Sequence, residues 1–427
     1  MQGTRPGRVA ERRRRVLPRA LAAGLVFFIA GLGITASPSW AAQKNERAWL
    51  AVQQLLHSQM SSGQFDFEYD FLLSGTRPKT RIGKGKLEVI TREAGTAYGV
   101  SAYFQHDHDA DVRRALIAIL GNLEKLSVPI TKAPGQEMLE ASGLLRLPFG
   151  RYKIHGTLHG LGLLYHPNGD GRLVSYDKSY DTAWGGATAL ALLTELQFYQ
   201  ASHDRRFEAL RRAWLKGLLV LYDRGAGFRS LPDTIDENAL SNGEIWLALA
   251  SYARLFPDDR DVAAVIAKVD RYMLDTYGAT FNHDIYSWAM KAAAERTRAT
   301  HGAAFVQFIA AQTRLRLAEK RPAWEADGNS CAEVEGLAAA LGVLTTSKFA
   351  DQTLVRRLRQ VIAAEMVRNN ALQIQPGQDR IDLGHGASLA SPAIREHAGA
   401  FLAGAQHPYL RIDFTEHCIC ALLELEQ

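Results

Sequence analysis

The sequence Trp-Gly-Gly-Ala-Thr-Ala-Leu at residues 184–190 opens an Ala- and Leu-rich stretch that predicts a closely packed helix. Its small residues allow a neighbouring helix to approach, and its apolar residues recur at spacings of three and four. The next segment begins Asp-Arg-Arg-Phe at 204–207 and carries more charge. A charged face is typical of a helix that borders solvent. The two segments together predict a helical hairpin with one buried and one outer member.

The same pattern recurs along the chain. Small or polar residues leading into an Ala/Leu stretch also occur at 92–98, 242–248, 331–337 and 416–422. Neighbouring units lie roughly 45 to 60 residues apart, or about 90 where one unit is skipped, which is the spacing of repeated helical hairpins. The repeat predicts a ring of inner helices with outer partners.

The period of the apolar residues separates helical from strand-like segments. About twelve helices are predicted, at 45–60, 92–104, 109–124, 184–202, 205–222, 239–255, 260–275, 285–297, 302–318, 331–344, 351–368 and 414–425. Strand-like alternation is limited to 65–72, 86–90 and 172–176. No Pro/Ser-rich linker or charge run divides residues 45–427, so the sequence predicts one large all-α domain.

Two short motifs carry a resemblance to known proteins. The pattern Gly-x-Ala-x-Ala-Leu at 185–190, with the Asp-Arg-Arg-Phe start at 204–207, resembles that of carbohydrate-active (α/α)6 toroids. Gly-Phe-Arg-Ser-Leu-Pro at 227–232, followed by Asn-Gly-Glu at 242–244, resembles the C-terminal toroid of D-glucuronyl C5-epimerases. The sequence departs from that family at 230–233, where Ser-Leu-Pro-Asp replaces an aromatic-rich segment. The resemblance implies an (α/α)6 toroid of helical hairpins and a glycan as the partner.

The positive charge of the chain is concentrated at its N-terminus. Residues 1–41 contain seven Arg and one Glu, a net +6, whereas the whole chain carries +5, which leaves 42–427 at −1. This distribution argues against nucleic-acid binding, which needs a basic surface.

The N-terminal segment has the features of a signal peptide: an Arg-rich start, the apolar run 21–36 and the small residues Ser39 and Ala41. The remaining chain is then periplasmic or secreted; alternatively, 21–36 is retained as an inner-membrane anchor. No phosphate-cradling Gly-rich loop is present, and no cofactor is expected.

In such a toroid the loops that lead into the inner helices meet at one end of a central funnel. Glycoside hydrolysis there requires two carboxylates, and Asp181 and Glu335 are the first candidates. Glu333 and Glu335 lie two apart on one predicted helix, so only one of them can face the funnel. Asp181 and Glu335 are therefore predicted as the catalytic pair of a hydrolase.

Lyase or epimerase chemistry on a uronate would instead need a base for the C5 proton, and His417 and Tyr180 are the candidates for it. Residues at or near the inner-helix starts are predicted to bind the substrate: Arg92, Tyr176, Trp184, Asp233, Asn242, Glu244, Trp288 and Arg411. Mixed carboxylates and aromatic rings suit a sugar-binding cleft, because the rings stack on pyranose faces. The reaction type stays open at this point.

Three cysteines leave three alternatives. Cys331 and Cys420 could join His417 in a zinc site, Cys331 could form a disulfide with Cys418 or Cys420, or all three could be buried thiols. The sequence thus predicts an exported envelope protein that acts on a polysaccharide as a hydrolase, lyase or C5-epimerase. The alternatives are a non-catalytic glycan-binding accessory of polymer export and a zinc-dependent toroid.

Overall fold

The computed structural model describes residues 40–66, 68–73, 75–76, 85–131, 166–223, 227–232, 237–319, 328–347, 351–384 and 386–426. Most of the predicted signal peptide, including 21–36, lies outside the described residues, as does Asp233. The chain from Ser39 to Gln427 forms one compact unit. Among the described helices, none combines the length and the apolar character that crossing a bilayer requires.

The described part of the chain is built from hairpins of long helices. In chain order these helices are α1 (Trp40–His57), α2 (Lys86–Asp107), α3 (Ala110–Leu126), α4 (Gly185–Ser202), α5 (Glu208–Leu221), α6 (Ala239–Leu255), α7 (Arg260–Tyr277), α8 (His283–Thr300), α9 (Ala303–Ala318), α10 (Cys331–Thr346), α11 (Gln352–Ala371), α12 (Ala393–Glu396) and α13 (Ile412–Glu424). Helices α2, α4, α6, α8, α10 and α13 each pack on the next, and α13 returns to α2, which closes an inner ring. Helices α1, α3, α5, α7, α9 and α11 lie outside it. The predicted (α/α)6 toroid is confirmed.

The two rings differ in composition as the sequence indicates. Residues of α4 from Gly185 to Leu196 are all buried, because neighbours surround an inner helix on every side. Outer helices bury one stripe, and α3, α7 and α11 begin at Asp caps. At the start of α7, for example, Asp259 accepts hydrogen bonds from the backbone N–H groups of Asp261 and Val262. Alternation of inner and outer helices makes the inner six parallel, so their N-terminal ends share one mouth of the toroid.

Short strands cluster beside the starts of inner helices. They are β1 (Glu68–Asp70), β2 (Gly75–Thr76), β3 (Ser127–Thr131), β4 (His166–Val174), β5 (Tyr222–Asp223), β6 (Gly227–Phe228), β7 (Arg380–Gly384), β8 (Ala387–Ala390), β9 (Leu402–Gly404) and β10 (His407–Arg411). One antiparallel sheet has the order β2-β1-β10-β9, with Glu68 opposite Arg411, and β3-β4, β5-β6 and β7-β8 are two-stranded. The predicted strands at 65–72 and 172–176 overlap β1 and β4.

The predicted strand at 86–90 is wrong. These residues form the first turns of α2, and Ile90 continues the buried face that carries Ala94 and Ala97. The spacing of these three residues is helical, so tertiary packing on the inner ring outweighs the β-branched character of the segment.

Candidate active site

Four inner helices bring ionisable side chains to the axis of the toroid. Glu244 comes from α6, Lys291 from α8, Glu335 from α10, and Glu416 and His417 from α13. We call these five residues the axial cluster. The three glutamates are at most 1% exposed and Lys291 is 4% exposed, whereas the His417 side chain keeps 20% of its surface accessible. His417 is therefore the most accessible member of the cluster.

His417 is held by two carboxylates. Its Nδ1 lies 2.6 Å from Glu335 Oε1 and 3.3 Å from Glu416 Oε2. Burial acts to lower the pKa of His417, but the Glu416 and Glu335 charges outweigh it and raise that pKa to about 9. The ring is an imidazolium at neutral pH, and its Nε2 makes no hydrogen bond to any described residue. Trp288 packs beside it, with 6.1 Å between ring centroids.

Glu335 joins His417 to Lys291. Lys291 Nζ donates a hydrogen bond to Glu335 Oε2 and lies 4.1 Å from the Trp288 ring centroid and 5.0 Å from that of Tyr98. Burial acts to raise the pKa of Glu335, but the Lys291 and His417 charges overcome it and hold that pKa below its usual range. Glu335 is completely enclosed and ionised, so it orients His417 and does not face a ligand.

The other two carboxyls of the axial cluster have the opposite shift. Burial, as the largest cause, raises the pKa of Glu244 and of Glu416 to about 8, so Glu244 is largely protonated at neutral pH. Glu244 Oε2 and Trp184 Nε1 are buried without a hydrogen-bond partner among the described residues. A Cβ at Gly186 would overlap Glu244 Oε2, and one at Gly99 would lie 2.6 Å from Glu416 Cγ. These two glycines thus make room for the carboxyl groups.

Arg92 and Arg411, predicted to bind substrate, flank the axial cluster and share Asp413. Arg411 donates to both Asp413 oxygens at 2.6 and 2.9 Å, and Arg92 Nε lies 3.1 Å from Oδ2. Although burial opposes ionisation of Asp413, the Arg411 and Arg92 charges keep its pKa below the usual range. Both guanidinium groups are thereby fixed beside the mouth.

The remaining predicted residues occupy varied positions. Asp181 is exposed in the single turn Tyr180–Thr182 before α4, and the Tyr180 hydroxyl donates to the Pro129 carbonyl at 2.8 Å. Asn242 is buried and accepts a hydrogen bond from the Phe228 backbone N–H, which fixes β6 against α6. The Tyr176 ring centroid lies 6.0 Å from the Lys86 ammonium. The structure thus joins Glu335, His417, Glu244 and Trp288 at the axis, whereas Asp181 and Tyr180 lie in the turn before α4 and Asn242 contacts β6.

Lys291 is a member of the axial cluster that the sequence did not predict. It stands alone among apolar and small neighbours in Ser-Trp-Ala-Met-Lys-Ala-Ala-Ala at 287–294. A single charge inside a fully buried helical stretch requires a buried partner, and this signal could have identified it.

A cleft of about 490 Å³ opens at the same mouth, between the starts of α8, α10 and α13. Its lining is aromatic and polar: Phe281, Tyr286, Ser287, Asn329, Glu333, Tyr409 and Phe414. Phe414 lies one helical turn before His417, so the cleft begins beside the axial cluster. Glu333, two residues before Glu335 on α10, lines this cleft and pairs with Arg316 of α9, whereas Glu335 lies in the axial cluster.

Of the three alternatives for the cysteines, the structure contains the disulfide. Cys331 and Cys418 form a disulfide with Cα atoms 4.8 Å apart, while Cys420 is free and buried. The zinc site of Cys331, His417 and Cys420 is wrong, because the Cys331 sulfur is bonded to Cys418. The expectation of three buried thiols is wrong for the same reason.

Glu335, Glu416 and Cys420 bring three possible metal-ligating atoms within 4.8 Å of one another. These atoms are already engaged, since Lys291 binds Glu335 and the Cys420 thiol donates to Glu416 at 3.5 Å. A metal ion would also have to approach the Lys291 ammonium, which disfavours it.

No protein-family model matches the chain, and no curated protein matches it at a significant level. Solved structures do share its fold. An inactive variant of the GH76A α-1,6-mannanase of Salegentibacter sp. HEL1_6 aligns with a TM-score of 0.56 at 10% identity, over 90% of this chain and 98% of that one. The unsaturated glucuronyl hydrolase of Bacillus sp. GL1 aligns with a TM-score of 0.54 at 11% identity, over 90% and 97% of the chains. At such identity the likeness establishes the fold alone: the chain is similar to carbohydrate-active toroids in its architecture.

Proposed function

We propose that this protein is a glycoside hydrolase in which His417, at the floor of the N-terminal mouth, gives a proton to the glycosidic oxygen. One observation carries the proposal: a partly accessible imidazole is oriented through Nδ1 by Glu335, and its Nε2 makes no hydrogen bond within the part of the chain that the structure describes. A general acid needs a transferable proton at the operating pH and a fixed direction, and this arrangement supplies both. Glu335 acts as a positioning residue.

Hydrolysis is favoured over proton abstraction from a uronate. A base must be unprotonated to take the C5 proton, and His417 is charged at neutral pH because of its two carboxylate neighbours. Burial also raises the pKa of the alternative base, Tyr180, whose hydroxyl donates to Pro129. Asp181 is exposed at the start of α4 and is the carboxylate that we propose activates the attacking water.

A glycan substrate is supported by the cleft and by the fold neighbours. Aromatic rings and polar groups line the cleft beside His417, which suits pyranose faces and hydroxyls. An inactive variant of the Salegentibacter GH76A was solved in complex with α-1,6-mannotetrose, and the Bacillus enzyme is described as responsible for the degradation of glycosaminoglycan. We further propose that the protein works outside the cytoplasm, because the Cys331–Cys418 disulfide suits an oxidising compartment.

A second candidate is a non-catalytic glycan-binding protein of polymer export. Its supporting observation is that Glu244, Glu335 and Glu416 are at most 1% exposed, so these carboxyls cannot contact a sugar without movement. In that case His417 and the aromatic cleft would hold the glycan without cutting it.

An activity screen separates the candidates. The purified protein is incubated with α-1,6-mannan and with glycosaminoglycan oligosaccharides, and both new reducing ends and unsaturated uronate absorbance are recorded. We expect reducing ends without new absorbance, and at least a 100-fold loss of rate in His417→Asn. His203→Asn, at the far end of α4, is the matched control and keeps the wild-type rate. New uronate absorbance would instead establish a lyase, and saturable glycan binding without products would establish the binding protein.

A further inference from the structure

A second and larger cavity opens at the opposite mouth, where the inner helices end. Its volume is about 790 Å³, and all six inner helices contribute to its lining. The cavity exists because several inner-helix residues that line it have short side chains, among them Ala102, Ala294, Ala338 and Gly342. The size falls within the range of small-molecule sites. The axial cluster separates this cavity from the proposed catalytic mouth.

The floor of the cavity offers hydrogen-bond donors. Lys291, Tyr98 and Glu424 line it, and Glu424 Oε2 is buried with no hydrogen-bond partner among the described residues. Burial, as the largest cause, raises the pKa of Glu424 to about 8, so this carboxyl is largely protonated at neutral pH. The Lys291 ammonium can donate three hydrogen bonds, and among the described residues it donates one, to Glu335. An ammonium, a phenol and a carboxylic acid together suit an anionic group.

The walls and the rim add an apolar belt and a positive charge. Leucines of α4, α6 and α13 line the walls, among them Leu193, Leu247 and Leu423. At the rim, Arg254 and Arg298 share the single carboxylate of Glu295, which leaves one excess positive charge. That charge offsets the negative ends of the inner helices, which would otherwise repel an anion.

We propose that this cavity binds a small organic carboxylate with an apolar body, its carboxylate on Lys291 Nζ and its body against the leucine belt. A cation would meet the Lys291 ammonium, and a purely apolar molecule would leave the floor donors unpaired. Because Glu335 lies between Lys291 and His417, the added negative charge stabilises the His417 imidazolium. Binding in this cavity thereby changes the protonation equilibrium of His417 at the opposite mouth, whether or not the protein cleaves glycans.

The test is calorimetric titration of the full protein with three probes of equal chain length: octanoate, octanol and octylamine. We expect octanoate to bind one per chain, octanol at least 10-fold more weakly, and octylamine not at all. Gly342→Trp places a ring on the cavity lining and removes octanoate binding. Gly121→Trp on α3 is the matched control, because a Cβ at either glycine meets no atom within 4 Å.

Three results would overturn the proposal: no saturable binding of octanoate to folded protein, equal binding of octanol, or undiminished binding by Gly342→Trp. In a second readout, octanoate raises the pKa of His417 in NMR titrations, and Lys291→Met removes the preference for octanoate over octanol. If Lys291→Met does not fold, the two glycine variants decide. None of these measurements uses glycan turnover, so a failed activity screen leaves this proposal intact, and the reverse also holds.

Discussion

At the scale of single residues, Glu335 holds the centre of the molecule together electrostatically. Its carboxylate pairs with both Lys291 and His417 from a completely buried position. Removing one member of a buried ionic set leaves its partners with an uncompensated desolvation penalty. The carboxylate is thus needed for the charged state of both cations.

We therefore expect Glu335→Gln to lower the free energy of unfolding by about 3–5 kcal/mol and to lower the pKa of His417. Chemical denaturation and NMR titration of the imidazole measure the two effects. Glu208→Gln is the control, since that carboxylate pairs with Arg205 and Arg212 at the protein surface, where solvent screens ion pairs and they contribute little to stability. A His417 pKa that stays near 9 in Glu335→Gln would contradict the assignment.

The stability of the protein should fall as pH rises from about 5 to 9. Glu244, Glu416 and His417 all bind protons more tightly in the folded state, with pKa values raised to about 8, 8 and 9. Stability is gained where the native state holds more protons, so the carboxyl contributions are lost as pH passes through 8 and that of His417 as it passes through 9. The free energy of unfolding measured by denaturation should be a few kcal/mol lower at pH 9 than at pH 6. Glu244→Gln should reduce this difference in the free energy of unfolding. An unchanged pH dependence of stability in that variant would contradict the raised pKa of Glu244.

How much of the site could be predicted differs from residue to residue. Helical geometry alone indicated that one of Glu333 and Glu335 faces the axis, and Glu335 does. His417 was a candidate because it opens the last apolar stretch. Lys291 was not, because its role depends on Glu335, which lies 44 positions away in the sequence and meets it only when the ring has closed.

At the scale of elements, α10 and α13 form the scaffold of the proposed acid. The disulfide joins the first residue of α10 to Cys418, the neighbour of His417, and Glu335 lies one turn beyond Cys331. The covalent link and the 2.6 Å hydrogen bond therefore bridge the same pair of helices. The link restricts the relative sliding of the elements that carry the two groups.

Reduction of this disulfide should destabilise the protein. The cysteines are 87 residues apart, and a closed loop of that size corresponds to roughly 4–5 kcal/mol in the chain-entropy description. Urea denaturation with and without a reductant measures the loss. The double variant Cys331→Ala/Cys418→Ala should start from the lower stability and show no further response to reductant; a continued response would mean that the effect lies elsewhere.

The elements themselves were predictable to different degrees. Inner helices such as α4 and α6 were found because their small and apolar residues form long periodic stretches. The segment at 86–90 was misjudged, since its β-branched residues favour a strand until α2 packs in the ring. Strands β7 to β10 were not predicted, because pairs of three to five residues owe their pairing to neighbours that the local pattern does not contain.

At the scale of the whole molecule, the ring is closed by its last helix. Helix α13 packs between α10 and α2, so the end of the chain contacts its first inner helix. The contact is made at Gly99, where an added Cβ would lie 2.6 Å from Glu416 Cγ and 3.3 Å from the Glu416 carbonyl oxygen. The contact between α2 and α13 that closes the ring is therefore also the contact that places Glu416 in the axial cluster.

Gly99→Ala tests this dependence. In an open helix the substitution would stabilise by up to about 1 kcal/mol, but here overpacking should reverse the sign and cost about 1–3 kcal/mol. Gly121→Ala on α3 is the matched control, because its Cβ meets no atom and the helix-propensity gain remains. The displacement should also separate Glu416 from His417 and lower the His417 pKa from about 9. Chemical denaturation, followed by far-ultraviolet circular dichroism and by tryptophan fluorescence, measures the stability of the two variants, and NMR titration of the imidazole measures the pKa of His417. A Gly99→Ala variant that is more stable than the wild type and has an unchanged His417 pKa would show that ring closure and the axial cluster are independent.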